Sequence, residues 1–182
     1  MDQPTLQTAR LVLRPYTLSD VADLVRLAGA REVAATTLRI PHPYTEQAAV
    51  DFVAASKAEA DTGLCARFAI TLRDTCEFCG GVGLRIEADH QRAELGYWLG
   101  VPYWGRGYAT EAAQAVVRYG FETVGLRRIY ASYIPENVAS GRVLEKIGMR
   151  REGRLHSHIL KWGKFYDLEM YGMVGPAPRK TV

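Results

Sequence analysis

Gly105-Arg106-Gly107 stands where a strand-like run, Glu94-Leu95-Gly96-Tyr97-Trp98-Leu99, gives way to the strongest helical pattern in the chain. Backbone N–H groups in the first turn of a helix lack partners, and the helix dipole is positive at that end. Glycine lets the main chain approach a ligand closely, and Arg106 adds a cation. The stretch Trp104, Gly105, Arg106, Gly107, Tyr108, Ala109 and Thr110 is therefore expected to cradle a phosphate or pyrophosphate. A plain turn before a helix remains the competing reading. Two other phosphate loops are excluded: no Gly-Lys-Ser/Thr closes this one, and the third glycine of a dinucleotide fingerprint is missing.

The surrounding elements follow from periodicity. The short segment Leu11-Val12-Leu13-Arg14, apolar in its first three residues, precedes Pro15, which predicts a short strand. Ser19 and Asp20 offer caps for a helix through Leu27, ended at Gly29, and Thr45 opens a second helix over 46–60. Residues 64–72, 80–86 and 92–99 predict three antiparallel strands. Ala109, Ala112, Ala113, Val116, Val117, Gly120, Phe121 and Val124 then fall on one helix face, with Gly125 as the stop. A strand over 128–134, a helix over 137–147 and two strands turning at Trp162-Gly163 complete the order. Helices on a mixed sheet make an α+β domain. One domain is expected over residues 1–175, with a flexible tail over 176–182.

Bulk properties narrow the class. The chain has 182 residues, 48% apolar and 24% charged, as an ordinary globular domain has. A net charge of +3, scattered along the chain, does not call for nucleic acid. No apolar run is long enough for a membrane span, and residues 1–10 lack the apolar core of a signal peptide. Three cysteines do not suit a disulfide framework. A cytoplasmic protein with no membrane partner is expected.

Several ordered motifs together resemble the GNAT acetyltransferase superfamily, in its RimJ/RimL-like branch, over nearly the whole chain. They are Arg10-Leu11-Val12-Leu13-Arg14-Pro15 with Asp20, the strand and loop over 94–112, Asn137-Val138-Ala139-Ser140 with Lys146-Ile147-Gly148-Met149, Arg151-Glu152-Gly153, and Asp167 with Tyr171. Trp104 takes the position where the wider superfamily has Gln or Arg, so pyrophosphate binding would lean on backbone groups and Arg106. The resemblance implies a mixed, mostly antiparallel sheet of about seven strands with four helices. In that fold the strand ending at Leu99 splays from the one starting near Arg128, and acetyl-CoA lies in the gap. Leu99 and Val101 would meet its pantetheine arm through the backbone, and the Leu99 N–H would polarise the thioester carbonyl. Asn137 would also bind the arm.

The implied reaction acetylates a free amine directly in a ternary complex. An amine titrating near roughly 8 to 10 needs help to lose its proton at neutral pH. Glu94 is the candidate base, against a surface carboxylate paired with Arg92 or Arg128. Asp167 and Glu169 are further candidates. Ser140 is the candidate partner of the departing thiolate, against helix capping. The acceptor is a protein N-terminus or a small amine, in a groove around residues 36–44 and 156–166. A non-catalytic acyl-CoA sensor on the same fold is the alternative, and monomer and homodimer both remain open. No metal is expected: Cys76-x-x-Cys79 lacks a second pair, and His156-x-His158 supplies only two ligands on one strand face.

Overall fold

A meander of three long antiparallel strands, β3 (Cys65–Leu72), β4 (Phe78–Glu87) and β5 (Arg92–Leu99), forms the centre of the chain in the computed structural model, which describes residues 3–175. The expected tail over 176–182 lies outside the described residues. Two strands, β1 (Leu6–Gln7) and β2 (Leu11–Arg14), pair outward from β3, and β6 (Arg128–Tyr133) follows β5 on the other side. A hairpin of β7 (Arg150–Lys161) and β8 (Lys164–Val174) completes an eight-stranded sheet ordered β1-β2-β3-β4-β5-β6-β8-β7. Among the described residues only the β5–β6 pair is parallel.

The sheet separates two helical layers. On one face lie α1 (Val21–Ala28), α2 (Arg31–Thr36) and α3 (Glu46–Asp61); on the other lie α4 (Tyr108–Glu122) and α5 (Val138–Lys146). Side chains of β5 alternate between the layers. Leu95 and Leu99 are buried on the α4 side, where α4 contributes Ala112, Ala113, Val116 and Val117. Trp98 and Gly100 belong to the α1 side: a Cβ on Gly100 would stand 2.8 Å from Leu27. The buried helix face read from the sequence is the one that packs.

Two elements exceed the sequence expectation. The two residues of β1 are too few to show a period, and α2 is a single short helix whose start lacks a side-chain cap. Asp20 also differs from its expected role. It makes no cap bond to α1; its carboxylate accepts two bonds from Arg14 (2.8 and 2.6 Å) and one from the Thr17 N–H (2.8 Å).

Burial works against the Asp20 charge, but the Arg14 and Thr17 bonds outweigh it and hold the carboxyl below its usual range. A depressed carboxyl contributes stability above its unfolded value, near roughly 4, and that contribution is lost as pH falls through the folded value. Asp20→Asn is expected to cost about 1–3 kcal/mol at neutral pH and to flatten the acid limb of a stability–pH curve. Urea unfolding at several pH values measures both.

Candidate active site

The sheet opens at the parallel pair β5–β6. β5 and β6 are registered at Arg92–Arg128, Ala93–Ile129 and Glu94–Tyr130, and no further. Beyond Glu94 the strands diverge around a cavity of about 520 Å³ that reaches both faces of the sheet. One wall comes from α5 and the loop before α4, the other from α2 and residues 37–40.

The free edge of β5 follows from its ladder. The Gly100 N–H donates to the Cys79 carbonyl (2.9 Å), so antiparallel alternation turns the main-chain groups of Leu99, Tyr97 and Leu95 away from β4 and toward the gap. The Leu99 carbonyl accepts from the Trp104 indole Nε1 (2.8 Å). That leaves an extended edge able to pair with an amide-bearing chain, as in strand addition. On the α2 side, a Cβ built on Gly96 meets nothing within 4 Å, so the floor between Glu94 and Trp98 is open.

At the outer end, Gly105 and Gly107 adopt φ of +74° and +79°, a left-handed backbone that favours glycine. They lead into the first turn of α4, and Gly105, Gly107, Ala109 and Thr110 line the cavity. The loop is tied down from behind. Arg10 donates to the Arg106 carbonyl (3.0 Å) and to Glu111 (2.7 Å), and Thr8 donates to Glu111 (2.6 Å). The Arg106 side chain is exposed and lies outside the lining, as do Val101 and Tyr108. Arg39 lines the cavity from the opposite wall, while the cations that line it on this wall are Arg142 and Lys146, one turn apart on α5. Neither makes an ion pair or hydrogen bond among the described residues. Sequence reasoning missed both; their i, i+4 spacing after Ser140 was the available signal.

Glu94 lies at the closed end with 11% of its side chain exposed. Its Oε2 accepts from Arg39 (2.6 Å) and Arg85 (2.7 Å), and its Oε1 accepts no bond among the described residues. The expected alternative partners are engaged elsewhere, Arg92 with Glu87 and Arg128 with Glu152. Asp167 and Glu169 lie outside the cavity. Asp167 pairs with His156 (3.1 Å), and Glu169 with Arg151 (2.7 Å) and Arg154.

Ser140 faces the cavity, and its Oγ lies 2.8 Å from the Tyr97 hydroxyl, a partner the sequence did not single out. Burial pushes the Tyr97 phenol up, against a smaller lowering from Ser140, so it is a donor that keeps its proton. Asn137 caps α5, its Oδ1 accepting from the Ser140 N–H (3.2 Å), while its Nδ2 donates to the Thr36 carbonyl (3.2 Å). Both ends of that amide are thus engaged in bracing α5 against α2.

Residues 36–40 of the expected acceptor groove line the cavity; residues 156–166 do not. That hairpin acts from outside, where Lys161 donates to the Ala34 and Thr37 carbonyls at the end of α2. A bulge with Ser157 at φ +48° breaks the regular strand between His156 and His158, correcting the expectation that both rings share one strand face. Cys65 and Cys79 are buried, their thiols pushed up to about 11 and about 12 by that burial, and Cys76 is exposed. No cysteine lines the cavity. Among the described residues no group of three or more His, Cys, Asp and Glu could hold a metal ion, and no helix is long and apolar enough to cross a membrane.

The sequence and the fold both match known proteins. Residues 10–150 fit the family model described as acetyltransferase (GNAT) domain. The chain belongs to the GNAT acetyltransferase family. It is similar to the uncharacterized N-acetyltransferase YoaA of Bacillus subtilis, 33% identical over 174 residues covering 95% of this chain and 98% of that protein. The crystal structure of a GNAT-family acetyltransferase from Bacillus anthracis is 28% identical, covers 94% of this chain and 98% of that one, and superposes with a TM-score of 0.84. RimJ of Mycobacterium smegmatis, solved in complex with CoA-disulfide, is 26% identical with a TM-score of 0.82, over 90% of this chain and 81% of that one. The expected class, a GNAT N-acetyltransferase of RimJ/RimL-like resemblance, and the α+β fold stand, with eight strands and five helices among the described residues in place of about seven and four.

Proposed function

We propose that this GNAT enzyme transfers an acetyl group from acetyl-CoA to a free amine by direct attack in a ternary complex. The observation that carries the reading is the cavity through the sheet, whose two walls offer different chemistry. The α4–α5 wall has a helix N-terminus and two cations that make no ion pair among the described residues, suited to phosphates, and the α2 wall has a carboxylate. Two substrates entering from opposite faces meet without a covalent enzyme intermediate, and no thiol lines the cavity to form one.

Acetyl-CoA supplies the activated acetyl thioester. The first turn of α4, with Gly105 and Gly107, holds pyrophosphate, and Arg142 and Lys146 neutralise it. The edge of β5 pairs with the pantetheine amides, and the Leu99 N–H stabilises negative charge on a carbonyl in the gap. Glu94 Oε1 takes the amine's proton, directly or through one water, while Arg39 and Arg85 fix the carboxylate through Oε2. Ser140 donates a hydrogen bond to the leaving sulfur. Neither a serine alkoxide nor a buried Tyr97 phenolate is favourable, so the pair acts as a donor and does not give up a proton.

Ser140→Ala is therefore expected to lower kcat roughly tenfold to hundredfold, the worth of one bond to a charged group. Tyr97→Phe has a smaller effect in the same direction. Neither changes the alkaline limb of the pH–rate profile, which a titrating acid would move.

Thermal unfolding with acetyl-CoA, against ATP and NADH, tests the cofactor assignment. Acetyl-CoA at a hundred times its Kd adds about 2.7 kcal/mol of stability. No rise, or an equal rise with ATP, overturns it. Thiol release with added amines then separates an enzyme from an acyl-CoA sensor.

A further inference from the structure

The acceptor end of the cavity holds more positive charge than its carboxylate balances. Arg39 and Arg85 meet at a single oxygen, Glu94 Oε2, each through one nitrogen. A guanidinium carries five N–H donors in a planar fork, so most of each fork is uncommitted by these bonds. Arg85 stands opposite Glu94 in the β4–β5 ladder and outside the cavity lining. Arg39 is different: it belongs to the wall between α2 and α3, lines the cavity, and has 60% of its side chain exposed. Its wall is braced, because Asn137 holds the Thr36 carbonyl and Lys161 holds those of Ala34 and Thr37. An uncommitted guanidinium fork is thus held beside the one carboxylate oxygen, Oε1, that accepts no bond among the described residues.

Resting on the reading of Glu94 as the residue that meets the amine, we propose that the acceptor carries an anionic group, a carboxylate or phosphate, a few bonds from its amine. The amine sits at Glu94 Oε1, and the anion takes the free donors of Arg39. A simple cationic amine satisfies Glu94 alone and leaves two guanidinium groups facing one carboxylate. An amine bearing an anion restores the balance and uses the bidentate geometry that arginine offers carboxylates and phosphates. A free amino acid, an aminoalkyl phosphate and a peptide N-terminus followed by an acidic residue all present this pair.

Matched acceptors test the proposal by thiol release from acetyl-CoA: short L-amino acids against their carboxamides, aminoethyl phosphate against ethanolamine, and peptides with Asp against Lys at the second position. The anionic member of each productive pair is expected to lead by roughly tenfold to hundredfold in kcat/KM, mostly through KM, because a site built for a charged partner rejects the analogue lacking it. Turnover of the free acids assigns the anion to a small molecule, and turnover of the Asp peptides alone assigns it to a polypeptide. Arg39→Gln should bring the ratio close to one, and Arg39→Lys, which keeps the charge without the fork, should fall between. Equal or faster turnover of the neutral members, or a ratio unchanged in Arg39→Gln, overturns the proposal. If acetyl-CoA raises the unfolding temperature and no member of the panel reacts, the acceptor class is wrong and the cofactor reading stands. If acetyl-CoA gives no rise, the reading beneath it falls.

Discussion

Glu94→Gln is expected to lower kcat by roughly a hundredfold to ten-thousandfold, the range for a positioned general base, while the acetyl-CoA-induced rise in unfolding temperature persists. The glutamine amide keeps an oxygen that can accept from Arg39 or Arg85, so the local packing survives. What disappears is the oxygen that takes a proton, Oε1. The amine must shed a proton somewhere, and water at neutral pH is a poor substitute. Wild-type kcat/KM should rise with pH toward the amine's own value, roughly 8 to 10. In Glu94→Gln the rate should become steeply dependent on added small buffers that can replace the missing base. A Glu94 that is only an ion-pair partner predicts the same loss of its charge from Arg39 and Arg85 but a kcat close to wild type. Measuring unfolding and kcat on the same protein separates these outcomes.

How much of this site was legible in the sequence depended on whether a residue's role is local. The loop from Trp104 to Thr110 could be read because glycine before a helix has one local meaning, close approach of main chain to ligand. The burial face of α4 could be read because eight apolar positions repeat at helical spacing. Glu94 could be placed on the right strand. Its partners could not be named, since Arg85 is set by the β4–β5 register and Arg39 by the path of the segment after α2. Register and path are tertiary facts. Asn137 illustrates the same limit: its cap on α5 is a sequence-local property, whereas its second bond, to Thr36, depends on α2, a helix too short to show a period. His156 and His158 misled because period-two reasoning assumes a regular strand, and the bulge at Ser157 breaks it. Tyr97 escaped notice for a different reason. An aromatic residue in a buried strand is ordinarily core, and only the position of α5 brings Ser140 to its hydroxyl.

The pair Arg142→Ala with Lys146→Ala is expected to raise the KM and Kd for acetyl-CoA together by roughly a hundredfold, with kcat at saturation changed far less. Each side chain reaches the anion end of the cavity without a competing carboxylate, so each contact with phosphate adds to the helix N-terminus without first breaking an ion pair. A charge-assisted bond contributes about 1.5–3 kcal/mol, and partial exposure brings each contact toward the lower figure. Arg106→Ala, by contrast, should cost only a few-fold, because its side chain lies outside the lining and its structural contribution is the carbonyl that Arg10 holds. Salt distinguishes the two cases further. Wild-type affinity should weaken as ionic strength rises, and the double variant should respond less, having lost the charges that salt screens. If Arg106→Ala proves the more damaging change, the phosphates lie on the outer side of the loop, as the sequence alone suggested, and the cavity between α4 and α5 holds some other part of the ligand.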